Sequence, residues 1–379
     1  MDSDNRAKTA APDLLVVGAG PTGAAAARRA ADEFGWSVLV IDRRRHLAGN
    51  CYDEMHESGV WAHRYGHHLF RTNSDELLAF LSRFTRWIPG NYRVKSCIGG
   101  KMHTLPINLA TLEEFYGRAF TPESAEVFLR DVRVPCAVPR NSEEFVLSRV
   151  GRDLYEAFYL GYTLKQWGRH PRDLAPDVCG RVPIRMNRDD RYVDHRHQVM
   201  PERGFTPMFE KMLDHPAIEV RLGVEYDDVR DSVRPKRGTV YSGRLDEYFG
   251  CGLGTLPWRS LDFVYETHDR EWFQPCQAVN YPREFEYTRT LEPKHLTGQK
   301  CGRTLVVKEY PRTGGEPYYP VPAPEAEALA DRYRELAAAE ERERGVMFAG
   351  RLAEYRYLDM DNAFLGGLAA MKKLETPPA

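Results

Sequence analysis

The sequence predicts an α/β protein in which a Rossmann-like domain carries an inserted helical lobe and an antiparallel β-sheet lobe. Three observations support this prediction. Near the N-terminus, a β-branched apolar run breaks into glycines and continues as an alanine-rich segment. Residues 109–165 have helical periodicity, and residues 258–322 contain several short runs that are typical of strands.

The first element is a strand, a tight turn and a helix over residues 13–31. Gly18, Gly20 and Gly23 follow the G-x-G-x-x-G spacing, which allows the turn, close backbone approach to a pyrophosphate, and packing of helix on strand. The N–H groups at the helix start, around Thr22, favour a phosphate. We therefore predict a dinucleotide site; a βαβ turn without a ligand is the alternative.

A second strand, residues 37–41, ends in Asp42 about twenty residues after the last glycine. A carboxylate there binds a ribose 2′-hydroxyl and favours FAD or NAD over NADP. The following segment, with Arg43, Gly49 and Asn50, resembles the arginine-then-glycine turn of amine-oxidase-like flavoproteins, whose basic side chains and backbone reach the cofactor phosphates. This resemblance implies FAD, so the predicted domain is a Rossmann-like FAD-binding domain; a solvated basic loop is the alternative.

Length and composition restrict the class of protein. The chain has 379 residues, of which 42% are hydrophobic and 28% charged, as in globular proteins with two or three lobes. A net charge of −2 indicates neither nucleic acid nor an anionic membrane as the main partner. Seven scattered cysteines without a C-x-x-C pair indicate reduced thiols, a cytoplasmic location and no zinc site.

Targeting segments are not predicted. Residues 1–12 lack the apolar core of a signal peptide, and no apolar run approaches the length of about 18 residues that a membrane span needs.

The predicted domains are discontinuous. The FAD-binding domain comprises residues 13–80, 208–255 and 324–370, and the helical lobe comprises residues 109–165. The antiparallel sheet lobe, which would bind the substrate, comprises residues 92–106, 180–207 and 258–322. Residues 166–180, with two prolines, form a predicted mobile loop.

Local signals place several elements within these domains. Ser74 is a predicted helix N-cap, and helices of the helical lobe should begin near Thr111, Ser124 and Ser142. Residues 93–105 form a predicted hairpin with Gly99-Gly100 as its two-residue turn.

Four motifs identify a resemblance to a known family. They are residues 63–68 (His-Arg-Tyr-Gly-His-His), 161–168 (Gly-Tyr-Thr-Leu-Lys-Gln-Trp-Gly), 317–320 (Pro-Tyr-Tyr-Pro) and 356–361 (Arg-Tyr-Leu-Asp-Met-Asp). In combination, over residues 13–370, they resemble the bacterial UDP-galactopyranose mutases. That family's enzymes are flavoprotein isomerases that interconvert UDP-galactopyranose and UDP-galactofuranose for cell-surface glycans, including the cell wall.

The sequence departs from the family pattern at three positions. His67 stands where a proline is expected, Arg71 where a histidine is expected, and Ala48 where a glycine is expected. Because Ala48 is not glycine, we expect no strict need for a positive φ at that position.

The resemblance implies a site for a UDP-sugar. Arg181 and Arg289 match the two arginines that hold the diphosphate, a task that suits the paired charge-assisted bonds of guanidinium. Tyr162 matches the tyrosine that stacks on uracil, with Phe158 and Tyr159 beside it. The other implied contacts to phosphate, sugar or uridine are Trp167, Tyr192, Asn280, Tyr319 and Tyr357. Without the resemblance, surface arginines and an aromatic core stripe would be the simpler interpretations.

The resemblance also implies flavin contacts at two further places. His68 and the backbone of Gly66 would lie against the isoalloxazine, with His63 beside them. The other implied contacts, to the ribityl chain and pyrophosphate at the start of the last helix, are Arg351, Asp359 and Met360.

The implied reaction uses the cofactor for its covalent chemistry. N5 of reduced flavin attacks the anomeric carbon, UDP leaves, and the sugar ring opens and recloses without net oxidation. The FAD must therefore be reduced, and the implied catalytic residues are Arg181, Arg289 and His68. No metal is expected, because His63 and His67 lack a third ligand at a suitable spacing.

Partners and rival functions complete the prediction. We expect a UDP-sugar substrate, a reductant such as NAD(P)H without a recognisable separate site, and a homo-oligomer. The first rival function is that of an amine-oxidase-like FAD oxidoreductase, which would release peroxide. The second is a non-enzymatic nucleotide-binding or redox-sensing module.

Overall fold

The protein is described by a computed structural model that covers residues 11–375. The strands, in chain order, are β1 (Leu14–Val17), β2 (Val38–Asp42), β3 (Asp53–Met55), β4 (Trp61–His63), β5 (Phe70–Thr72), β6 (Trp87–Pro89), β7 (Val94–Ile98), β8 (Lys101–Leu105), β9 (His197–Pro201), β10 (Ile218–Leu222), β11 (Gly238–Tyr241), β12 (Trp258–His268), β13 (Ala278–Asn280), β14 (Arg289–Leu291), β15 (Thr304–Thr313), β16 (Tyr319–Pro320) and β17 (Val346–Phe348).

The α-helices, in the same order, are α1 (Pro21–Phe34), α2 (Asp75–Ser82), α3 (Leu109–Tyr116), α4 (Pro122–Val132), α5 (Ser142–Leu154), α6 (Gly161–Trp167), α7 (Asp177–Gly180), α8 (Phe205–Leu213), α9 (Tyr226–Val229), α10 (Leu245–Tyr248), α11 (Lys294–Thr297), α12 (Pro324–Arg344), α13 (Arg351–Glu354) and α14 (Met360–Glu375). Short 3₁₀ turns lie at Gly49–Cys51 and Pro171–Asp173, and a π-helix at Tyr155–Leu160.

The chain divides into two compact units. Of the described residues, unit 1 contains residues 11–52, 205–254 and 331–375. Unit 2 contains residues 53–204 and 255–330.

Unit 1 is built on a parallel five-stranded sheet in the order β10-β2-β1-β11-β17. Strands β1, β2 and β11 are buried throughout, which explains their nearly continuous apolar sequences. Because β1 pairs with β2 on one side and with β11 on the other, the start of α1 lies at the point where the strand order reverses. The predicted Rossmann-like fold is confirmed.

Unit 2 contains a seven-stranded sheet in the order β16-β12-β15-β14-β13-β7-β8. The predicted hairpin is confirmed, since Ile98 pairs with Lys101 across Gly99-Gly100. The sheet is not wholly antiparallel, because β13 runs parallel to β7. The mixed pairing arises because β7 and β13 belong to distant parts of the chain.

The helical lobe begins each of its first helices with a side-chain cap. The N-caps are Asn108, Thr121 and Asn141, whose side chains accept the N–H of the third helical residue. Thr111 and Ser124, which we predicted near the helix starts, are those third residues and complete capping boxes. These residues therefore indicated the helix starts correctly, but the first two helices begin two residues earlier than Thr111 and Ser124.

The hydrophobic core of unit 2 lies between the seven-stranded sheet and the helical lobe. Sheet residues such as Val94 and Leu291 are clustered there with lobe residues such as Leu112, Val150 and Phe158. Helix α6, which carries Tyr162 and Trp167, directly follows the π-helix whose residues Tyr155, Ala157 and Phe158 belong to this core.

Residues 53–80 lie in unit 2, although we grouped them with the FAD-binding domain. Strand β5 pairs with β9, and the Tyr265 hydroxyl donates to the His63 carbonyl oxygen at 3.2 Å. These contacts explain the difference from the predicted grouping. The finer lobe boundaries stay predictions.

Candidate active site

The glycine turn of unit 1 is closed on two sides by its own backbone and by Ser242. Gly18 has φ +105°, and a Cβ there would lie 2.1 Å from Ser242 Oγ. A Cβ on Gly23 would lie 1.8 Å from the Gly18 carbonyl oxygen and 2.9 Å from Val16 Cγ1. Neither contact tolerates a side chain, so this tight strand–turn–helix junction requires glycine at both positions.

The start of α1 offers uncapped N–H groups. Its N-cap is Gly20, which forms no side-chain cap, Pro21 begins the helix, and its first turn contains no acidic residue. A Cβ on Gly20 would lie 3.6 Å from Gly49 Cα, so the backbone of the Gly49 turn comes close to the helix start. Such a glycine-lined helix start suits a pyrophosphate.

Asp42 organises the same turn. Its carboxylate accepts the N–H of Ala19 and of Arg44, each at 2.8 Å, and the residue is 8% exposed. A carboxylate has about four acceptor positions, so Asp42 retains capacity for a ribose hydroxyl. Arg43 forms an ion pair with Glu247 at 3.5 Å.

Ala48 corrects one of our expectations. It has φ +71° and is fully buried, so the left-handed conformation is present even though the residue is not glycine. The following turn holds it there: Cys51 N–H donates to the Ala48 carbonyl at 2.9 Å, and Gly49 also has a positive φ. The Asn50 side chain accepts a hydrogen bond from Arg44 at 2.9 Å.

Thr22 and the C-terminal segment of unit 1 are fixed by local bonds. The Thr22 hydroxyl donates to the Ala363 carbonyl at 2.9 Å, which joins α1 to α14. The Arg351 guanidinium donates to the Leu358 carbonyl at 2.6 Å and lies over the Tyr357 ring at 5.1 Å. Asp359 and Met360 stand at the start of α14, as expected from the sequence.

In unit 2, a row of cross-strand neighbours presents polar groups on one face of the sheet. Asn280 on β13 pairs with Arg289 on β14, which pairs with Glu309 on β15. Directly paired residues point to the same face. Arg289 Nε donates to Glu309 Oε2, and Glu309 is fully buried.

Four groups surround the Arg289 guanidinium and affect its charge. Burial is the largest single effect and opposes that charge, but the Glu309 carboxylate and the neighbouring phenols together outweigh burial and raise the pKa of Arg289 well above its usual value. The phenol groups of Tyr92, Tyr162 and Tyr319 also lie within electrostatic range. Burial raises the pKa of Tyr92, so its phenol keeps its proton. We call these five residues the Arg289 cluster.

Two members of the Arg289 cluster were missed by sequence reasoning. Tyr92 precedes β7 and Glu309 lies in the middle of β15, in stretches without a recognisable motif. Only the strand pairing brings them to Arg289. The one available signal was an acidic residue paired with a predicted binding arginine. Recognising it required knowledge of the register between β14 and β15.

The predicted stacking aromatics occupy different environments. Phe158 is 5% exposed, and its ring packs on His103 at 5.7 Å and Phe115 at 5.5 Å, so it is a core residue here. The Trp167 ring is buried and meets Tyr319 edge-on at 6.1 Å. Tyr162, a member of the Arg289 cluster, is half-buried.

Two further predicted aromatic contacts, Tyr159 and Tyr192, lie within electrostatic range of each other. Tyr159 belongs to the π-helix, and burial raises the pKa of its phenol. Tyr192 lies within electrostatic range of both Tyr92 and Tyr159. Tyr192 also contacts the Tyr92 ring edge-on at 5.9 Å, which connects it to the Arg289 cluster.

The histidines of residues 63–68 form a ring cluster in unit 2. The His63 ring lies 5.3 Å from His67 and 5.9 Å from His68. His68 Nδ1 donates to the Gly66 carbonyl at 2.7 Å, which fixes its tautomer. Burial lowers the pKa of His63 to about 4, and burial with the nearby charges of His63 and Arg289 lowers that of His67 well below normal.

Arg181 has different surroundings from Arg289. It is exposed at the end of α7, where its guanidinium donates to the Val178 carbonyl at 3.5 Å. Its charge reaches the Cys179 thiol. Arg181 therefore lies just after the predicted mobile loop rather than on the sheet face that holds Arg289.

Comparisons with known proteins identify the family. A family model described as UDP-galactopyranose mutase matches residues 157–357, and one described as an NAD(P)-binding Rossmann-like domain matches residues 16–84. The chain is 36% identical over 356 residues to a Klebsiella pneumoniae protein named "Probable UDP-galactopyranose mutase", covering 92% of this chain and 91% of that one. This chain belongs to the UDP-galactopyranose mutase family.

Two other similarities refine the comparison. An Escherichia coli protein named dTDP-fucopyranose mutase is 35% identical over 359 residues, covering 92% of this chain and 94% of the relative. A crystal structure of reduced UDP-galactopyranose mutase matches with a TM-score of 0.75 at 15% identity, covering 95% of each chain. This structural match supports the fold. The sequence identities to the two relatives are nearly equal and do not distinguish between their sugar nucleotides.

The described part of the chain shows neither a metal-binding cluster nor a membrane-spanning helix. Between residues 11 and 375, no three His, Cys, Asp or Glu side chains are arranged to hold a metal ion. Within the same residues, no helix has the length and apolar character needed to cross a membrane. All seven cysteines lie in this range and none forms a disulfide.

Proposed function

We propose that this chain interconverts UDP-galactopyranose and UDP-galactofuranose, as a flavin-dependent isomerase whose FAD must be reduced. The observation that carries this proposal is the Arg289 cluster on a member of the mutase family. A guanidinium fixed by Glu309 and flanked by tyrosine hydroxyl groups suits a diphosphate leaving group.

The residues of unit 1 fit FAD. The Gly18–Gly23 junction, the uncapped start of α1 and the nearby Gly49 turn would hold the pyrophosphate, and Asp42 would accept from the ribose. Arg43, Asn50, Arg351, Asp359 and Met360 are proposed as further contacts. The chemistry that reduced FAD supplies when bound is nucleophilic attack on the anomeric carbon, without net oxidation.

The residues of unit 2 orient the substrate and stabilise the leaving diphosphate. Arg289 would hold phosphate oxygens through the guanidinium nitrogens that Glu309 does not use. The hydroxyl groups of Tyr92, Tyr162 and Tyr319 can donate to phosphate or sugar oxygens. We propose base stacking by Tyr162 with Tyr159, and further contacts by Tyr192, Asn280 and Tyr357.

Phe158 and the histidine cluster are the remaining proposed contacts. Phe158 would help to stack the base only after its ring leaves the core. His63, Gly66 and His68 are proposed to adjoin the flavin, with the His68 tautomer fixed by its bond to Gly66.

Closure of residues 166–180 would bring Arg181 to the diphosphate and Trp167 over the sugar. We expect UDP to protect residues 168–180 from protease, and Arg181→Ala to cost on the order of 2–3 kcal/mol in UDP binding. Unchanged cleavage with UDP, together with wild-type affinity in Arg181→Ala, would remove this segment from the site.

The deciding experiment is an anaerobic assay of the FAD-loaded protein with UDP-galactofuranose, with and without dithionite. We expect UDP-galactopyranose only when the flavin is reduced. No conversion by a protein with bound, reducible FAD contradicts the proposal. Peroxide release during turnover would instead support the amine-oxidase-like alternative.

A second sugar nucleotide merits the same assay, because one relative is named dTDP-fucopyranose mutase. We expect UDP-galactofuranose to have the higher kcat/KM. If the protein preferred dTDP-fucofuranose, the proposed flavin-dependent isomerisation would still hold, but its substrate would be a dTDP-sugar.

We also propose a reductant such as NAD(P)H, a homo-oligomeric state and a cytoplasmic location. Anaerobic flavin bleaching by NADH or NADPH tests the reductant, and light scattering tests the assembly. Fractionation of the source cells tests the location.

A further inference from the structure

Lys165 joins α6 to the segment that connects β13 and β14. Its ammonium donates to the carbonyl oxygens of Tyr281, Phe285 at 2.8 Å and Tyr287 at 3.1 Å. An ammonium has three donors, so these carbonyls use all of them. The side chain therefore fixes the position of residues 281–287 relative to the helix.

Both ends of this connection carry proposed substrate contacts. Helix α6 contains Tyr162 three residues before Lys165 and Trp167 two residues after it. The connecting segment lies between Asn280 and Arg289, which face each other across β13 and β14. Lys165 thus connects the proposed base-stacking residue to the strands that hold the diphosphate arginine.

A second set of bonds fixes the C-terminal end of α6. Arg259, which is 6% exposed, donates to the Gln166 carbonyl at 2.9 Å and to the Lys165 carbonyl at 3.0 Å. Its third nitrogen donates to Thr313 Oγ1 at 2.6 Å. Since Arg259 holds the helix end independently, loss of Lys165 should shift the β13–β14 segment rather than release α6.

We propose that Lys165 is a positioning residue for nucleotide binding, which sets the spacing between Tyr162 and Arg289 by holding residues 281–287 against α6. The inference rests on the proposed function, because it assumes that a UDP-sugar spans these two residues. A ligand that reaches only Arg289 should depend on Lys165 much less than UDP does.

The protonation state of Lys165 provides a second way to test this proposal. Burial lowers the pKa of its amine to about 8, partly opposed by Glu284. The neutral amine has two N–H donors for three carbonyls, so the connection is complete below this pKa and weakens above it. The titratable and charged groups on the packed elements are Arg259 on β12, Tyr281, Arg283, Glu284, Glu286 and Tyr287 on the connecting segment, and Lys308, Glu309 and Tyr310 on β15.

The test compares UDP with inorganic pyrophosphate on FAD-loaded Lys165→Met at pH 7. We expect UDP affinity to fall about tenfold and pyrophosphate affinity to change less than about threefold. An equal loss for both ligands, or no loss for UDP, overturns the inference.

Lys294 provides a matched control in the same unit. Its buried ammonium also donates to three carbonyls, those of Glu271 at 2.6 Å, Cys301 at 2.8 Å and Arg303 at 3.0 Å. Lys294→Met should lower thermal stability and leave the ratio of UDP to pyrophosphate affinity unchanged. A changed ratio in Lys294→Met would show that loss of any such lysine alters the site, and would overturn the inference.

The pH profile decides the inference if Lys165→Met does not fold. Wild-type UDP affinity should fall between pH 7 and pH 9, and Lys165→Arg, which stays charged, should remove that fall. The same fall in both proteins overturns the inference. Wild-type protein that neither binds UDP nor isomerises UDP-galactofuranose would instead overturn the proposed function.

Discussion

The two units build their binding features in different ways. In unit 1, one continuous segment provides the strand, the glycine turn, the helix start and Asp42, and backbone packing fixes each of them. In unit 2, the Arg289 cluster is assembled from β14, β15, β16, α6 and Tyr92, which lies two residues before β7. A local motif therefore depends on steric fit, whereas a distributed site depends on charge pairing between strands.

Breaking the charge pair should have the largest effect. Arg289→Ala leaves the fully buried Glu309 carboxylate without its guanidinium. We expect the free energy of unfolding of unit 2 to fall by about 3–5 kcal/mol. UDP binding should weaken by on the order of 2–3 kcal/mol, measured by calorimetry on FAD-loaded protein.

The double variant Arg289→Ala/Glu309→Gln separates these two effects. Removing the unpaired charge should restore more than half of the lost stability and none of the UDP affinity. Recovered UDP binding would show that Arg289 does not hold the diphosphate. Tryptophan fluorescence suits the stability measurement, because all tryptophans except Trp36 lie in unit 2.

Filling the glycine turn should have the next largest effect. Gly23→Ala would place a methyl group 1.8 Å from the Gly18 carbonyl oxygen. Overpacking of this kind costs about 3 kcal/mol, or roughly a hundredfold in FAD affinity. Flavin absorbance after gel filtration measures the retained FAD.

Gly252→Ala is the matched control within unit 1, since the nearest atom to its Cβ would be the Phe249 carbonyl oxygen at 3.4 Å. It should retain FAD like the wild type. Full FAD retention by Gly23→Ala would contradict the view that steric fit governs unit 1.

The same contrast explains what the sequence could predict. The G-x-G-x-x-G turn, Asp42 and the fold class follow from local spacing and periodicity, and the structure agrees with the fold. Glu309 and Tyr92 could not be found, because neither the pairing of β14 with β15 nor the order β7-β13-β14 is encoded in any local pattern. Phe158 was ambiguous for a related reason: an aromatic stripe has the same period whether its members pack in a core or contact a ligand.

The buried histidines of unit 2 should make it sensitive to acid. The pKa of His63 is lowered to about 4 from 6.5 in the unfolded chain, so the unfolded state binds the proton first as pH falls. His63 therefore contributes stability above pH 6.5 that is lost as pH falls toward 4. Between pH 7 and pH 5 this loss amounts to about 2 kcal/mol.

Urea unfolding of His63→Asn at both pH values measures that contribution. The variant should lose about 2 kcal/mol less than the wild type on acidification. His215→Asn, in unit 1, is the control and should follow the wild type. If His63→Asn lost as much unfolding free energy on acidification as the wild type, groups other than His63 would be responsible for the acid sensitivity of unit 2.

The smallest effect should come from Ala48, which is the one residue of the unit 1 turn that does not suit its own backbone. Its positive φ costs about 1–2 kcal/mol for a residue with a Cβ. Ala48→Gly removes that cost and also a buried methyl group worth about 0.8 kcal/mol. We therefore expect a gain of less than about 1 kcal/mol in unfolding free energy, with FAD affinity unchanged.

The reverse change at the next residue, Gly49→Ala, should destabilise the protein, because the added Cβ would lie 3.0 Å from Gly20 Cα. If both substitutions had the same sign, backbone strain would not be what distinguishes these neighbours, and the steric account of unit 1 would fail at this turn.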